Sequence, residues 1–143
     1  MSTLTDIGKF RKTLDDMLIQ IKKWLTKQQI MAVEKLELKL STGMKIDPRG
    51  SIVLFLDSIE PYAHHIMSDN DQFFLENDIE IESEFIEFHD QILLWWPELD
   101  EEKQDYIRKR IKLLLMLATI ALKKESLRLI INTYRDPENP LIF

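Results

Sequence analysis

Residues 111–122, "IKLLLMLATIAL", hold two polar side chains in twelve positions, Lys112 and Thr119. A segment apolar on every side needs a membrane, a partner or the protein's own interior. Here it falls short of the roughly eighteen consecutive apolar residues of a bilayer span, so the expected place is the middle of a helical bundle, with other helices wrapped around it.

The rest of the chain supplies those helices. Ile7, Phe10, Leu14, Met17, Ile21 and Trp24 recur at three- and four-residue steps behind Thr5 or Asp6 as N-cap, which predicts an amphipathic first helix. It either continues or breaks near Thr26 and restarts through Ile30, Val33, Leu36 and Leu40, with Gly43 as the expected C-cap. Asp47 and Pro48 suit the N-cap and first position of a helix with the face Ile52, Phe55, Leu56 and Ile59. Pro61 should end or kink it.

"SDND" reads as a loop and capping signal before a short helical turn at "QFFLEN". From about Glu82, the residues Phe85, Phe88, Ile92, Trp95 and Leu99 mark another helical face, which Pro97 should terminate. "DIEIES" alternates with a period of two and suits a short extended stretch. Asp100 caps the helix that carries the Leu-rich segment, and a last helix through Leu127, Ile130, Ile131 and Tyr134 either continues it or follows a break at 123–126. The expectation is an all-α, single-domain bundle of about five to seven helices spanning residues 1–143, with an irregular tail at about 136–143.

With 143 residues, 45% of them hydrophobic, the chain can bury one core. It has no cysteine, which removes disulfides, thiolate metal sites and a cysteine nucleophile. The first residues lack the apolar run of a signal peptide, and the chain reads as soluble and intracellular.

Charge is distributed in blocks. Residues 1–50 carry ten Lys/Arg and six Asp/Glu; residues 51–102 carry fifteen Asp/Glu and no cation; residues 103–143 carry nine Lys/Arg and four Asp/Glu. The plainest consequence is that the acidic middle folds against its basic flanks. A second is that one face stays acidic and docks a basic partner.

Signals for chemistry are sparse. His64, His65, Asp69 and Asp71 cluster in "YAHHIMSDND", and His65 and Asp69 lie four apart, as two metal ligands on one helix would; no third or fourth ligand can be named, so no metal site and no cofactor are expected. His89 with Asp90 is an isolated pair, and Glu84 with Glu87 reads as solvated positions beside Phe85 and Phe88 rather than as acid/base machinery. No phosphate-binding glycine motif or nucleophile elbow is present. Catalysis is not expected.

Two surfaces suggest binding. Trp95 and Trp96 are about 100° apart on a helix, so one of them is expected as a partly exposed anchor. Leu141, Ile142 and Phe143 form an apolar end that docks on a neighbour or on its own bundle. The alternative is nucleic-acid association through Arg108, Lys109, Arg110 and Lys112, against which stands the net charge of −6.

"IEPYAHHIMSDNDQFFL" and "WWPELDEEKQDYIRKRIKLLLMLA" resemble segments of small helical proteins of large nucleocytoplasmic DNA viruses. In these an acidic-aromatic FFL segment precedes a Trp-containing helix and then a long Leu-rich one. The resemblance covers residues 59–118. It implies a viral protein, cytoplasmic or virion-associated, and carries over neither an activity nor a site residue. The resulting expectation is a non-catalytic protein that binds another protein or itself, as an adaptor or minor structural component.

Overall fold

A computed structural model describes residues 5–76 and 84–134 of the chain. These form α-helices α1 (Asp6–Lys22), α2 (Lys27–Ile46), α3 (Pro48–Ile59), α4 (Ala63–Met67), α5 (Asp71–Glu76), α6 (Glu84–Trp95), α7 (Glu101–Leu122) and α8 (Glu125–Thr133), with 3-10 turns at Glu60–Tyr62 and Trp96–Glu98. No strand occurs among the described residues, so the chain is an all-α helical bundle.

Local chemistry sets most helix ends. The Thr5 side chain accepts from the Gly8 N–H and starts α1. The periodic stripe breaks after Lys22, and Thr26 and Gln29 form a reciprocal capping box that starts α2: the Gln29 N–H donates to Thr26 Oγ1 at 3.4 Å and the Thr26 N–H to Gln29 Oε1 at 2.9 Å. Asp47 and Asp100 cap α3 and α7 through the N–H groups of Gly50 and Lys103. Pro61 and Pro97 act as expected: each sits in a 3-10 turn that closes the preceding helix.

Gly43 corrects the sequence reading. It lies inside α2, which continues to Ile46. A Cβ placed on Gly43 would meet Ser51 Oγ at 3.3 Å, so the small residue serves the close approach of α2 and α3 rather than a helix end. "DIEIES" and the tail after Tyr134 lie outside the described residues.

The Leu-rich segment is interior packing. α1 lies along α7 in the longest interface, and α3, α4 and α8 pack on α7 as well. Leu114, Leu115, Leu117, Ala118 and Thr119 are buried, and the Thr119 hydroxyl donates to the Leu115 carbonyl at 2.7 Å, satisfying the segment's one interior polar group within its own helix. Phe10 meets Phe55 edge-on at 5.1 Å between ring centres, joining α1 to α3. Among the described residues no helix is long and apolar enough to cross a membrane.

α7 ends at Lys123 in the left-handed conformation, φ 53° and ψ 45°, which bends the chain into α8. A non-glycine residue is disfavoured there. Lys123→Gly is expected to raise stability by about 0.5–1 kcal/mol in urea denaturation; a loss of stability would mean that the lysine side chain holds the turn.

Candidate functional site

α6 packs on α2, and across from it α3, α4 and α7 leave an apolar cavity of about 150 Å³. Phe55 and Ile59 of α3, Ile66 of α4, and Ile107, Ile111 and Leu114 of α7 supply aliphatic and aromatic wall. Phe74, Trp96 and His89 complete it from α5, the 3-10 turn and α6. Tyr62 and Phe74 meet edge-on at 6.4 Å, as do Phe74 and His89 at 6.4 Å, so one side of the cavity is an aromatic cluster.

The polar rim is built from the turn between α4 and α5. Asp69 takes a left-handed conformation with φ 57°, which reverses the chain after α4. The Asn70 side chain then holds the turn from both ends: its carbonyl accepts from the Phe73 N–H at 3.4 Å, and its amide lies 2.9 Å from His65 Nδ1. The His65 ring is stacked on Phe73 at 3.7 Å between ring centres. Lys112 Nζ reaches Asp69 at 2.7 Å, and Arg108 Nε donates to both Asp71 oxygens at 3.1 and 2.9 Å. α7 therefore fixes the turn and α5 through two ion pairs.

Arg108 is the centre of the rim, with 15% of its side chain exposed. Besides Asp71 it pairs with Glu101 at 3.1 Å, and its guanidinium lies over the Trp96 ring at 5.4 Å from the centroid. The hydrogen bonds it donates to Asp71 hold it protonated beyond its already high ordinary range, more than burial opposes this.

His89 is the unusual member of the site. Both its ring nitrogens are buried and, among the described residues, neither has a hydrogen-bond partner. Burial pushes its pKa below the ordinary 6.5; Asp90, whose Oδ1 stands 3.6 Å from Nδ1 and so beyond hydrogen-bond length, offsets part of that. The ring is thus neutral at pH 7, with one nitrogen a donor and the other a bare acceptor.

Several sequence-predicted residues meet at this cavity and others do not. Trp96 forms part of the wall and is half-buried. Trp95 is corrected: at 2% exposure it is core, because the helix turns its ring inward before Pro97 bends the chain, and it offers no contact surface. Leu141, Ile142 and Phe143 lie outside the described residues, as do the side chains of Glu84, Phe85 and Phe88.

His65 and Asp69 do not converge as metal ligands, since α4 ends at Met67 and Asp69 turns to Lys112. His64 Nδ1 lies 2.8 Å from Tyr134 Oη instead, tying α4 to the end of α8. Among the described residues no group of three or more His, Asp or Glu side chains could hold a metal.

The basic cluster is occupied internally. Arg108 and Lys112 pair as above, Lys109 bonds Asp105 at 3.0 Å, and Arg110 lies over the Tyr106 ring. Lys39 from the first basic block bonds Glu87 at 2.9 Å, so both flanks reach the acidic middle. Nothing in the sequence marks the cavity or the orphaned His89; the "HD" pair was visible, its environment was not.

No protein-family model, curated protein or solved structure matches this chain.

Two outcomes test the rim and the buried histidine. Arg108→Met is expected to lower stability by about 2 kcal/mol, between the values for exposed and buried pairs, and to have a smaller effect in an Asp71→Asn background; equal effects in both backgrounds would show that the pair is not coupled. For His89 the unfolded chain binds a proton between 6.5 and the lower folded value that the folded chain does not. Its contribution is complete above 6.5 and is lost as pH falls through that window. Wild-type stability should therefore drop more steeply from about pH 7.5 to about pH 5 than that of His89→Leu; parallel curves would contradict it.

Proposed function

We propose that this chain is a non-catalytic binding protein whose cavity between α3, α4, α6 and α7 receives an apolar side chain from a basic partner protein. The observation that carries the reading is the placement of an apolar cavity within the cation-free stretch: α3, α4, α5 and α6, which form most of its wall, all fall in residues 48–95, and only Arg49 precedes the long acidic run there.

The two α7 cations at the rim, Arg108 and Lys112, are already neutralised by Asp71 and Asp69. Asp57, Glu60 and Glu102 have no ion pair among the described residues. The resulting field attracts positive charge, and the cavity supplies the apolar anchor site that gives an interface most of its affinity. An adaptor or minor structural role in a viral assembly, of the kind implied by the resemblance in residues 59–118, agrees with such a surface. Nucleic-acid association is the weaker reading, since Arg108, Lys109 and Lys112 are spent on carboxylates.

Two lysine-rich synthetic peptides, identical except for a central Phe or Ala, test this by NMR titration. The Phe peptide is expected to bind, to shift the Trp96 and Phe74 resonances, and to weaken as salt is raised, with the Ala peptide at least about tenfold weaker. Equal affinity of the two peptides, or no binding at low salt, would sink the reading.

A further inference from the structure

A basic partner that presents one apolar side chain has a counterpart on this chain's own surface. Met31, Leu38 and Ile46 are large, apolar and exposed, and all three lie on α2. They fall within about 80° of one another around the helix and over about 22 Å of its length. Single exposed apolar side chains are ordinary, whereas a stripe of them marks an interaction surface. Lys35 and Lys45 are exposed in the same sector.

Ile46 is the member of the stripe built to enter a concave site. It is 79% exposed and ends α2, and the adjacent Asp47 caps both α2 and α3, so Ile46 stands at a corner of the bundle rather than along a helix face. Lys45 and Arg49 flank it, exposed and without a carboxylate partner among the described residues. The Asp47 carboxylate is engaged by the Gly50 N–H. The corner is therefore an aliphatic side chain between two cations.

The cavity complements it in shape and charge. α2 contributes no residue to the cavity wall, so corner and cavity are separate surfaces of one molecule. An apolar cavity of about 150 Å³ holds a benzene ring; this one measures about 150 Å³ and accommodates the smaller side chain of isoleucine. Glu60, next in the chain to the wall residue Ile59, has no ion pair among the described residues and belongs to the cation-free stretch 51–102.

We infer that the basic partner is a second copy of this chain, with Ile46 of one molecule seated in the cavity of the next and Lys45 and Arg49 set against its acidic surround. The inference rests on the binding role proposed above and adds the partner's identity. Because the two surfaces differ, the contact is head-to-tail and repeats from copy to copy.

Sedimentation at increasing protein concentration is expected to show mass above that of the monomer, falling back as salt is raised. Ile46→Ser removes the anchor. Leu75→Arg sets a cation on the cavity wall at a side chain that is 46% exposed, which spares the core. Each variant alone is expected to associate at least about tenfold more weakly than wild type. Mixed in equal amounts they are expected to form a one-to-one dimer and nothing larger, since Ile46→Ser keeps its cavity and Leu75→Arg keeps its anchor. Recovery in the mixture also shows that both variants are folded.

The lysine-rich Phe peptide is titrated into Ile46→Ser, whose cavity is free whether or not copies associate. Wild-type protein that stays monomeric while this peptide binds overturns the second copy and leaves the proposed function standing. A monomer that binds no peptide overturns both. Association that either variant leaves unchanged, or that the mixture fails to restore, overturns the contact of Ile46 with the cavity, and the peptide titration then decides the proposed function by itself.

Discussion

The fold depends on removing the surface of α7 from water. A helix with Leu114, Leu115, Leu117 and Ala118 buried together cannot stay bare, and roughly 25 cal/mol per Å² of apolar surface favours covering it. α1 covers it along its length, while α3, α4 and α8 close the remaining sides. That arrangement explains why the shorter helices exist at all: α4 has five residues and α8 nine, too few to be stable alone, and both pack on α7.

Electrostatics then chooses among ways of arranging those helices. The acidic middle of the chain meets cations from both flanks, through Lys39 with Glu87 on one side and Arg108 and Lys112 with Asp71 and Asp69 on the other. The exposed pair between Lys39 and Glu87 adds little to stability. The pairs on α7 are more enclosed and fix α5 and the preceding turn in one position. The same contacts that shape the rim of the cavity also use up the cations that would otherwise serve a phosphate backbone, which is why one site accounts for the charge pattern better than two.

The cavity follows from how α6 is held. α6 packs on α2, bridged by Lys39 with Glu87 and, beyond its end, by Gln29 with Glu98. Held there, it stands off from α7, and His89 contributes to the wall with both ring nitrogens buried and, among the described residues, without a hydrogen-bond partner. Protein interiors are otherwise packed to the density of organic crystals, so a ring-sized gap with an orphaned imidazole marks a place where packing was given up. Packing and hydrogen bonding are both incomplete on the same wall.

The sequence by itself determined the all-helical class, the interior place of the Leu-rich segment and most helix ends. Those signals are local: a Thr or Asp side chain reaches an N–H three residues ahead, and a proline disrupts its own turn, whatever the rest of the chain does. Tertiary structure decided the rest. Gly43 has the same local signature as a helix terminator, and only the nearness of Ser51 reveals its use. Trp95 and Trp96 are adjacent letters; the direction of one helix buries the first and leaves the second beside Arg108. The cavity and the unpartnered His89 belong to no segment, since each arises where helices distant in sequence fail to meet, and a gap between elements leaves no mark on any one of them.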